Sequence, residues 1–308
     1  MHIIYSPRYR VDIGPHVFPT QKYQLVQARL LESRIVDPAD VIDPDPAAWE
    51  DLALVHTADY LAGLRDGTLA EDAILQLELP WSHDMVDAFR TMVGGTILAA
   101  RRAVADRAIV AHIGGGLHHA FPNHGEGFCP FNDVAVAIRV LQRDGLASRA
   151  AVVDLDVHHG NGTAFIFESD PRVFTFSMHQ QHNYPLWKPR GSLDIGFDDG
   201  TGDAAFLEQL EGALPTIMAS RPECVFYLAG ADPYEEDQLG GLALTQDGLR
   251  RRDRLVIDIA RRAGVPLVIV LAGGYARRVE DTVAIHVATV EEAVSGSTQI
   301  LPTDSPRL

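Results

Sequence analysis

The amino-acid sequence predicts one α/β domain with a mostly parallel central sheet and helices on both faces. Short runs of β-branched and apolar residues alternate with longer stretches of helical periodicity, which is the pattern of a parallel α/β sheet. Several of the short runs are apolar almost throughout, as expected of strands covered on both faces. Hydrophobic residues make up 46% of the 308 residues, which is enough for a large buried core.

The predicted elements follow one another without an internal repeat or a long linker. Asn132 or Asp133 is placed to cap the second helix and Thr245 to cap the last, because such side chains accept hydrogen bonds from the first helical N–H groups. We expect one domain over residues 1–294, and a flexible tail over the Ser-, Thr- and Pro-rich residues 295–308. The predicted elements are helix 84–106, strand 108–113, helix 132–144, strand 150–155, strand 173–178, helix 203–220, strand 224–228, helix 245–263 and strand 267–271.

Composition and charge exclude several classes of protein. Acidic residues outnumber basic residues by 42 to 26, and the formal net charge of −16 disfavours direct binding to nucleic acid while it suits cationic partners. The longest nearly apolar run, 266–276, is about half as long as a membrane-spanning helix. Only two cysteines, Cys129 and Cys224, and an N-terminus unlike a signal peptide predict a cytoplasmic protein.

Polar or glycine-rich segments follow five of the predicted strands. Ligands of open α/β sheets bind beyond the carboxyl ends of the strands, so these segments are expected to meet at one edge. Five such segments together predict a functional site. They are GGGLHH at 114–119, DLDVHHGNG at 154–162, SMH at 177–179, AGAD at 229–232 and AGGY at 272–275.

The strongest chemical signal is the alternation of Asp154, Asp156 and His158. In extended backbone these side chains point to one side, where two carboxylates repel each other unless a cation lies between them. The mixture of Asp and His suits Zn²⁺ or a similar divalent ion, and Asp232 after another strand is the natural third ligand. Such a set leaves one position open for water. The alternative is that these aspartates only cap loops or helices. Capping can explain one aspartate taken alone, but it explains the whole cluster less well.

The remaining polar residues complete a hydrolytic site. A histidine of the His118–His119 pair can take a proton from water beside a metal, with Asp154 and Asn161 as acceptors for the other ring nitrogens. Tyr275 follows two glycines, and its phenol can donate a hydrogen bond to a developing oxyanion. A His–His pair or a single tyrosine is more often a packing feature. Together with the metal cluster they predict metal-assisted hydrolysis of an amide or ester.

These motifs resemble the zinc-dependent histone deacetylase family over nearly the whole chain. The resemblance rests on the sequences GGGLHH at 114–119, GFC at 127–129, DLDVHHGNG at 154–162, AGAD at 229–232 and GGY at 273–275, in that order. The sequences YSPRY at 5–9, VHT at 55–57 and LGGL at 239–242 resemble the class IV branch in particular. The family implies an arginase-like α/β fold.

The resemblance also implies roles for individual residues. One Zn²⁺ per chain would be held by Asp156, His158 and Asp232. His118 and His119 would be the histidine pair, with His119 as general base and acid, and Tyr275 would stabilise the transition state. Because Asn161 is uncharged where the family pattern can have Asp, we expect a less basic His119.

Two further sites follow from the same resemblance. Gly127, Phe128 and Tyr184 would line the tunnel for the acyl-lysine side chain, while Cys129 beside them is expected to be inert packing. A structural K⁺ would be bound by Asp154, the backbone of Asp156 and His158, and Ser177.

The predicted function is zinc-dependent hydrolysis of the amide of N6-acyl-lysine in proteins. The sequence leaves the acyl group open, from acetyl to fatty acyl. The nearest alternative keeps the chemistry and takes an acetylpolyamine as substrate; the absence of a long inserted loop in the sequence favours a protein substrate. A binuclear manganese ureohydrolase is disfavoured because Asp232-Pro233 lacks the expected acidic pattern. An inactive acyl-lysine binding module would not explain why all the ligands and Tyr275 are present.

Overall fold

The computed structural model describes residues 1–295, which form an eight-stranded sheet whose paired strands are all parallel. The strand order is β2-β1-β3-β8-β7-β4-β5-β6. The strands are β1 (Ile3–Ile4), β2 (Val41–Ile42), β3 (Ile109–His112), β4 (Ala150–Asp154), β5 (Val173–Gln180), β6 (Leu193–Phe197), β7 (Cys224–Leu228) and β8 (Leu267–Val270).

Helices occupy most of the connections between the strands. Two short 3₁₀ helices, Pro7–Tyr9 and Pro38–Asp40, complete the elements of the described residues. The α-helices are α1 (Lys22–Glu32), α2 (Trp49–Leu52), α3 (Ala58–Asp66), α4 (Glu71–Leu77), α5 (His83–Asp106), α6 (Asp133–Arg143), α7 (Asn161–Phe167), α8 (Asp203–Ala219), α9 (Gln246–Ala263) and α10 (Val279–Ser295).

The central strands form the core of the molecule. Every residue of β3, β4, β7 and β8 is buried, which requires cover on both faces of the sheet. The helix α5 packs against β1, β3, β8 and α6, whereas α1, α10, α9 and α8 pack against one another in that order. The predicted α/β architecture is therefore confirmed.

Local signals place the beginnings of two helices that support the site. The side chain of Asn132 accepts a hydrogen bond from the Ala135 N–H (3.0 Å) and caps α6, and Thr245 accepts one from the Gly248 N–H (3.0 Å) and caps α9. Asp133 is not the cap. Its carboxylate instead accepts hydrogen bonds from backbone N–H groups in the loop after β3.

The end of the domain extends slightly beyond its predicted boundary. The helix α10 includes Ser295, the first residue of the predicted tail. The rest of the predicted tail, 296–308, lies outside the described residues. Within residues 1–295, no helix combines the length and the apolar character needed to cross a membrane.

Candidate active site

Three side chains converge at the carboxyl edge of the sheet. Asp156 and His158 follow β4, Asp232 follows β7, and all three are buried. His158 Nδ1 lies 2.9 Å from Asp156 Oδ1 and 3.4 Å from Asp232 Oδ2. One ligand atom from each residue lies within 4.8 Å of the others. These atoms are suited to hold one divalent metal ion.

The three side chains fit a metal better than they fit a closed hydrogen-bond network. Asp232 Oδ2 is buried and has no hydrogen-bond partner within residues 1–295, although buried carboxylate oxygens normally have one. A Cβ atom at Gly273 would overlap this oxygen, so the glycine leaves the space in front of it open. Burial, and then repulsion from Asp156, raises the pKa of Asp232 to about 7. A cation between the carboxylates would relieve this cost.

His118 and His119 lie beside the three side chains and face each other. His118 Nδ1 lies 2.6 Å from Asp154 Oδ2, and His119 Nδ1 lies 2.7 Å from Asn161 Oδ1. The Nε2 atoms of the two histidines are 3.0 Å apart, and that of His118 is 3.9 Å from Asp156 Oδ1. The structure thus places Asp154 beside His118 and Asn161 beside His119.

The two histidines differ in their affinity for a proton. Burial acts to lower the pKa of both, but at His118 the carboxylates of Asp154 and Asp156 outweigh it and raise the pKa to about 9. Burial, followed by the nearby rings of His118 and His158, holds the pKa of His119 well below its ordinary value. His118 therefore holds a proton, whereas His119 is unprotonated and keeps a lone pair on one ring nitrogen.

Tyr275 approaches the same centre from the loop after β8. The Gly273 N–H donates to Asp156 Oδ2 (2.8 Å), and the Tyr275 N–H donates to Asp237 Oδ2 (2.7 Å). The centroid of the Tyr275 ring lies 6.4 Å from that of His158. Two backbone hydrogen bonds to buried carboxylates thus hold this ring next to the three candidate ligands.

A buried lysine lies behind the Tyr275 loop. Lys22 is fully buried at the start of α1, and its Nζ donates to the backbone oxygen of Ala272 (2.7 Å). The same Nζ lies 5.6 Å from the centroid of the Tyr275 ring. Burial lowers the pKa of Lys22 to about 8, against the opposing effect of Asp232 and Asp156. The contact ties α1 to the loop that carries Tyr275.

An aromatic slot leads to the histidine pair. The ring centroid of Phe128 lies 6.0 Å from that of Tyr275, and the ring centroid of Tyr184 lies 4.9 Å from that of His119. Gly127 keeps the slot open, because a Cβ there would lie 2.7 Å from His119 Cδ2 and 2.9 Å from Tyr184 Cε1. The arrangement suits a thin, uncharged chain.

The other residues singled out in the sequence lie close to this site. Cys129 is buried with its Sγ 3.3 Å from the Gly127 oxygen, and burial raises the pKa of the thiol, as in an unreactive cysteine. Ser177 is paired with Asp154 in the register of β4 and β5. The Ser177 Oγ lies 3.1 Å from His179 Nδ1.

Comparison with known proteins assigns a family to this geometry. Residues 16–290 match the histone deacetylase domain. Histone deacetylase 2 of Arabidopsis thaliana is 33% identical over 287 residues, which cover 89% of this chain and 74% of that protein. The chain belongs to the histone deacetylase family. It is accordingly a hydrolase acting on amides.

Further similarities extend across the same domain. The acetoin utilization protein AcuC of Bacillus subtilis is 33% identical over 298 residues, which cover 88% of this chain and 76% of that protein. An uncharacterized protein of Picosynechococcus sp. is 44% identical over 288 residues, 92% of this chain and 95% of that protein. The crystal structure of the HDA15 HD domain superposes on this chain with a TM-score of 0.76 at 24% sequence identity. The match covers 96% of this chain and 91% of the HDA15 chain, which shows that the two share a fold.

Residues that support this histone deacetylase-family site and were missed in the sequence include Lys22, Glu126 and Arg252. Glu126 accepts hydrogen bonds from the side chains of Asn161 and Tyr184, and Arg252 donates to the backbone oxygens of residues near the candidate ligands. Lys22 lies one helical turn before Val26 on the apolar face of α1, and Arg252 lies one turn before Val256 on that of α9. A charged residue on an apolar face indicates a buried polar contact, and this signal could have identified both. Glu126 has no comparable signal in the sequence.

Proposed function

We propose that this protein hydrolyses the amide of N6-acyl-lysine in proteins, with one Zn²⁺ held by Asp156, His158 and Asp232. The observation that carries the proposal is the convergence of these buried ligand atoms, within 4.8 Å of one another, with the His118–His119 pair at the end of an aromatic slot. When bound, Zn²⁺ supplies Lewis-acid polarisation of the carbonyl and of water.

The chain's own residues would manage the protons. The unprotonated Nε2 of His119 accepts a proton from the attacking water while the new C–O bond forms, and His118, paired with Asp154, retains its proton. His119 then delivers the accepted proton to the lysine nitrogen as the C–N bond breaks. The products are a free amine and a carboxylic acid.

Tyr275 would stabilise the negative charge that develops on the carbonyl oxygen. Its ring is already held beside His158, so little rearrangement is required when charge develops. Burial and the nearby carboxylates raise the pKa of Tyr275 well above its ordinary value, which keeps the phenol protonated and able to donate.

The monovalent cation site is also part of the proposal. Asp154, Ser177 and the backbone of Asp156 and His158 would hold K⁺ as a structural ion. Support comes from the register of the sheet, in which Asp154 and Ser177 are neighbours across β4 and β5. The class IV assignment and the cytoplasmic location both stay predictions.

The surroundings of the slot favour a polypeptide substrate. Leu186 and Trp187, two and three residues after Tyr184, are 101% and 60% exposed, and the Trp187 ring stacks on Phe121 with centroids 5.7 Å apart. Residues that flank an acyl-lysine can contact this apolar surface, whereas a polyamine has no side chains to do so. Acyl groups longer than acetyl are included in the proposal.

A small acylated polyamine is the second candidate substrate. The net charge of −16 favours it, because an acidic protein attracts polycationic amines over long range.

The test uses zinc-loaded protein and matched peptides that carry acetyl-, lactyl- or myristoyl-lysine, alongside N-acetylputrescine. Release of free lysine, abolished by a chelator and in Asp156→Ala, is the expected result, and the preferred peptide identifies the acyl length. Cleavage of acetylputrescine alone would transfer the function to polyamine substrates. No turnover of any substrate by protein with one zinc per chain would contradict the proposal.

A further inference from the structure

We propose that Glu126 is a positioning residue that fixes both Asn161 beside His119 and Tyr184 on the wall of the slot. The inference rests on the proposed function, because it assigns Glu126 to the support of the base and the tunnel of that reaction. No motif in the sequence pointed to this residue, and its side chain does not touch the candidate metal ligands in the described contacts.

Glu126 connects four parts of the chain at the entrance of the slot. Its side chain is 13% exposed. Oε1 accepts hydrogen bonds from Asn161 Nδ2 (2.5 Å) and from the Tyr184 hydroxyl (3.0 Å). Oε2 accepts one from Gln76 Nε2 (3.1 Å) and lies 3.4 Å from His124 Nε2. Both oxygens of the carboxylate are thus engaged, and two of the contacts reach residues that surround His119.

The contact with Asn161 fixes the proton on His119. A carboxylate only accepts hydrogen bonds, so the NH₂ group of Asn161 must face Glu126 and its Oδ1 must face His119. His119 Nδ1 therefore carries the hydrogen, and the lone pair lies on Nε2, which faces His118. Without Glu126 the Asn161 amide is free to turn over and select the opposite tautomer. The side chain of Glu126 thus determines which nitrogen of His119 is basic.

The contact with Tyr184 holds the second support of the same ring. The rings of Tyr184 and His119 meet edge to face at 84° with centroids 4.9 Å apart. The Tyr184 hydroxyl is held by Glu126 at the far end of the phenol, so the ring cannot swing away from the slot without losing that hydrogen bond. The hydrogen bonds from His124, Asn161, Tyr184 and Gln76 outweigh burial and lower the pKa of Glu126, so the acceptor is a carboxylate.

The conservative variant separates position from charge. In Glu126→Gln the side-chain oxygen can still accept from Asn161 and Tyr184, while the negative charge is lost. In Glu126→Ala both acceptors are lost. If the residue acts by position, Glu126→Gln retains kcat and KM for an acetyl-lysine peptide within about 3-fold. Glu126→Ala is expected to lower kcat by about 10–100-fold, the range found when an outer-shell partner of a metal site is lost. Equal losses in the two variants would overturn the proposal.

Double-mutant cycles test the two contacts separately. We expect Asn161→Ala to lower kcat and Tyr184→Phe to raise KM in the wild-type background. Each is expected to have little further effect when Glu126 is already Ala, because the contact has been removed from the other side. Independent, multiplicative effects in both cycles would contradict the assignment. Glu71→Ala is the matched control, since Glu71 is an exposed carboxylate in the first turn of α4 with no described contact to Asn161 or Tyr184 within residues 1–295.

A spectroscopic readout is independent of any substrate. Long-range ¹H–¹⁵N spectra of ¹⁵N-histidine-labelled, zinc-loaded protein report the tautomer of each ring, and the His119 signals are assigned by their loss in His119→Gln. We expect the Nδ1–H form in the wild type and in Glu126→Gln, and a mixture of tautomers in Glu126→Ala. An unchanged His119 spectrum in Glu126→Ala would overturn the proposal. If instead no acyl-lysine peptide is cleaved, the proposed function fails while this measurement still decides the role of Glu126.

Discussion

Tyr275 offers a substitution in which a single hydroxyl is removed. Its ring packs against His158 and Phe128, and its backbone N–H is held by Asp237, contacts that a phenylalanine at 275 would keep. We expect Tyr275→Phe to lower kcat by about 10²–10³-fold, as when one oxyanion donor is lost. Steady-state kinetics and zinc analysis check this. A kcat near that of the wild type, at full zinc content, would rule out the proposed role.

A single buried histidine, His56, makes the free energy of unfolding depend on pH. Its Nδ1 lies 3.0 Å from the Phe121 oxygen, and its Nε2 accepts from the Asn132 N–H (3.0 Å). The second contact requires an unprotonated Nε2, and burial lowers the pKa of His56 to about 4. Between pH 4 and pH 6.5 the unfolded chain therefore binds a proton that the folded chain does not.

Because only the unfolded chain binds this proton between pH 4 and pH 6.5, acidic pH lowers the stability of the fold. The contribution of His56 to the free energy of unfolding is complete above pH 6.5 and falls as the pH drops towards 4, by at most about 1.4 kcal/mol per pH unit. We expect His56→Gln, which can make both hydrogen bonds without titrating, to show a shallower loss of stability. Urea denaturation at several pH values measures it, with the exposed His182→Gln as control. Identical slopes for His56→Gln and the wild type would contradict the assignment.

At the scale of elements, α9 connects the ends of two strands that carry candidate metal ligands. Arg252 is fully buried, and its Nη1 donates to the backbone oxygens of Gly230 (2.6 Å) and Leu155 (3.3 Å). Leu155 directly precedes Asp156, and Gly230 lies two residues before Asp232. One guanidinium on a helix thus fixes the distance between the loops after β4 and β7.

Replacing this arginine should loosen both loops. We expect Arg252→Met to lower the affinity for zinc by about 10–100-fold and the stability by about 3–5 kcal/mol, because it leaves Asp253 buried without its charged partner. Arg254→Met, on the exposed side of the same helix, is the matched control and should change stability by less than about 1 kcal/mol. Competition with a chromophoric chelator gives the affinity. Equal zinc affinity in both variants would contradict the role of Arg252.

The elements predicted from the sequence are those whose local pattern is strong. All five predicted strands and all four predicted helices are present, with ends displaced by at most two residues. The strands β1 and β2 span two residues each, too few to show a periodicity. The helix α7 is seven residues long and starts at Asn161, inside a segment that reads as a glycine-rich loop. These elements are stabilised by their tertiary neighbours rather than by local sequence.

The residues of the site likewise divide into those that local sequence brings together and those that only the tertiary fold brings together. Asp156 and His158 are two residues apart, so the sequence itself shows that their side chains come together, whereas Asp154, at the end of β4, pairs with His118 instead. Lys22 and its acceptor Ala272 are 250 positions apart, and Glu126 and Asn161 are 35 apart. Contacts of this kind arise only when the sheet brings distant loops to one edge, and no spacing rule predicts them.

At the scale of the whole molecule, the fold concentrates negative charge at one edge of its sheet. Asp154, Asp156, Asp232 and Asp237 are all buried there, within a chain whose net charge is −16. Buried carboxylates cost stability unless hydrogen bonds or cations compensate for them. Asp232 Oδ2 has His158 Nδ1 at 3.4 Å but lacks a hydrogen-bond partner in residues 1–295, so the folded protein without a metal carries a partly compensated cost that binding would lower.

This cost predicts opposite effects of one substitution with and without metal. Zinc should raise the melting temperature of the wild type, by the equivalent of about 2.7 kcal/mol at a hundred times its Kd. In Asp232→Asn the Oδ1 acceptor for the Val157 N–H can remain while the repulsion from Asp156 is lost. The metal-free variant should therefore melt no lower than the metal-free wild type, yet respond little to zinc. Differential scanning calorimetry with and without chelator measures both, with the exposed Asp198→Asn as control. The prediction fails if the metal-free Asp232→Asn variant is markedly less stable than the metal-free wild type. In that case the fold itself, and not a bound cation, compensates for the charge of Asp232.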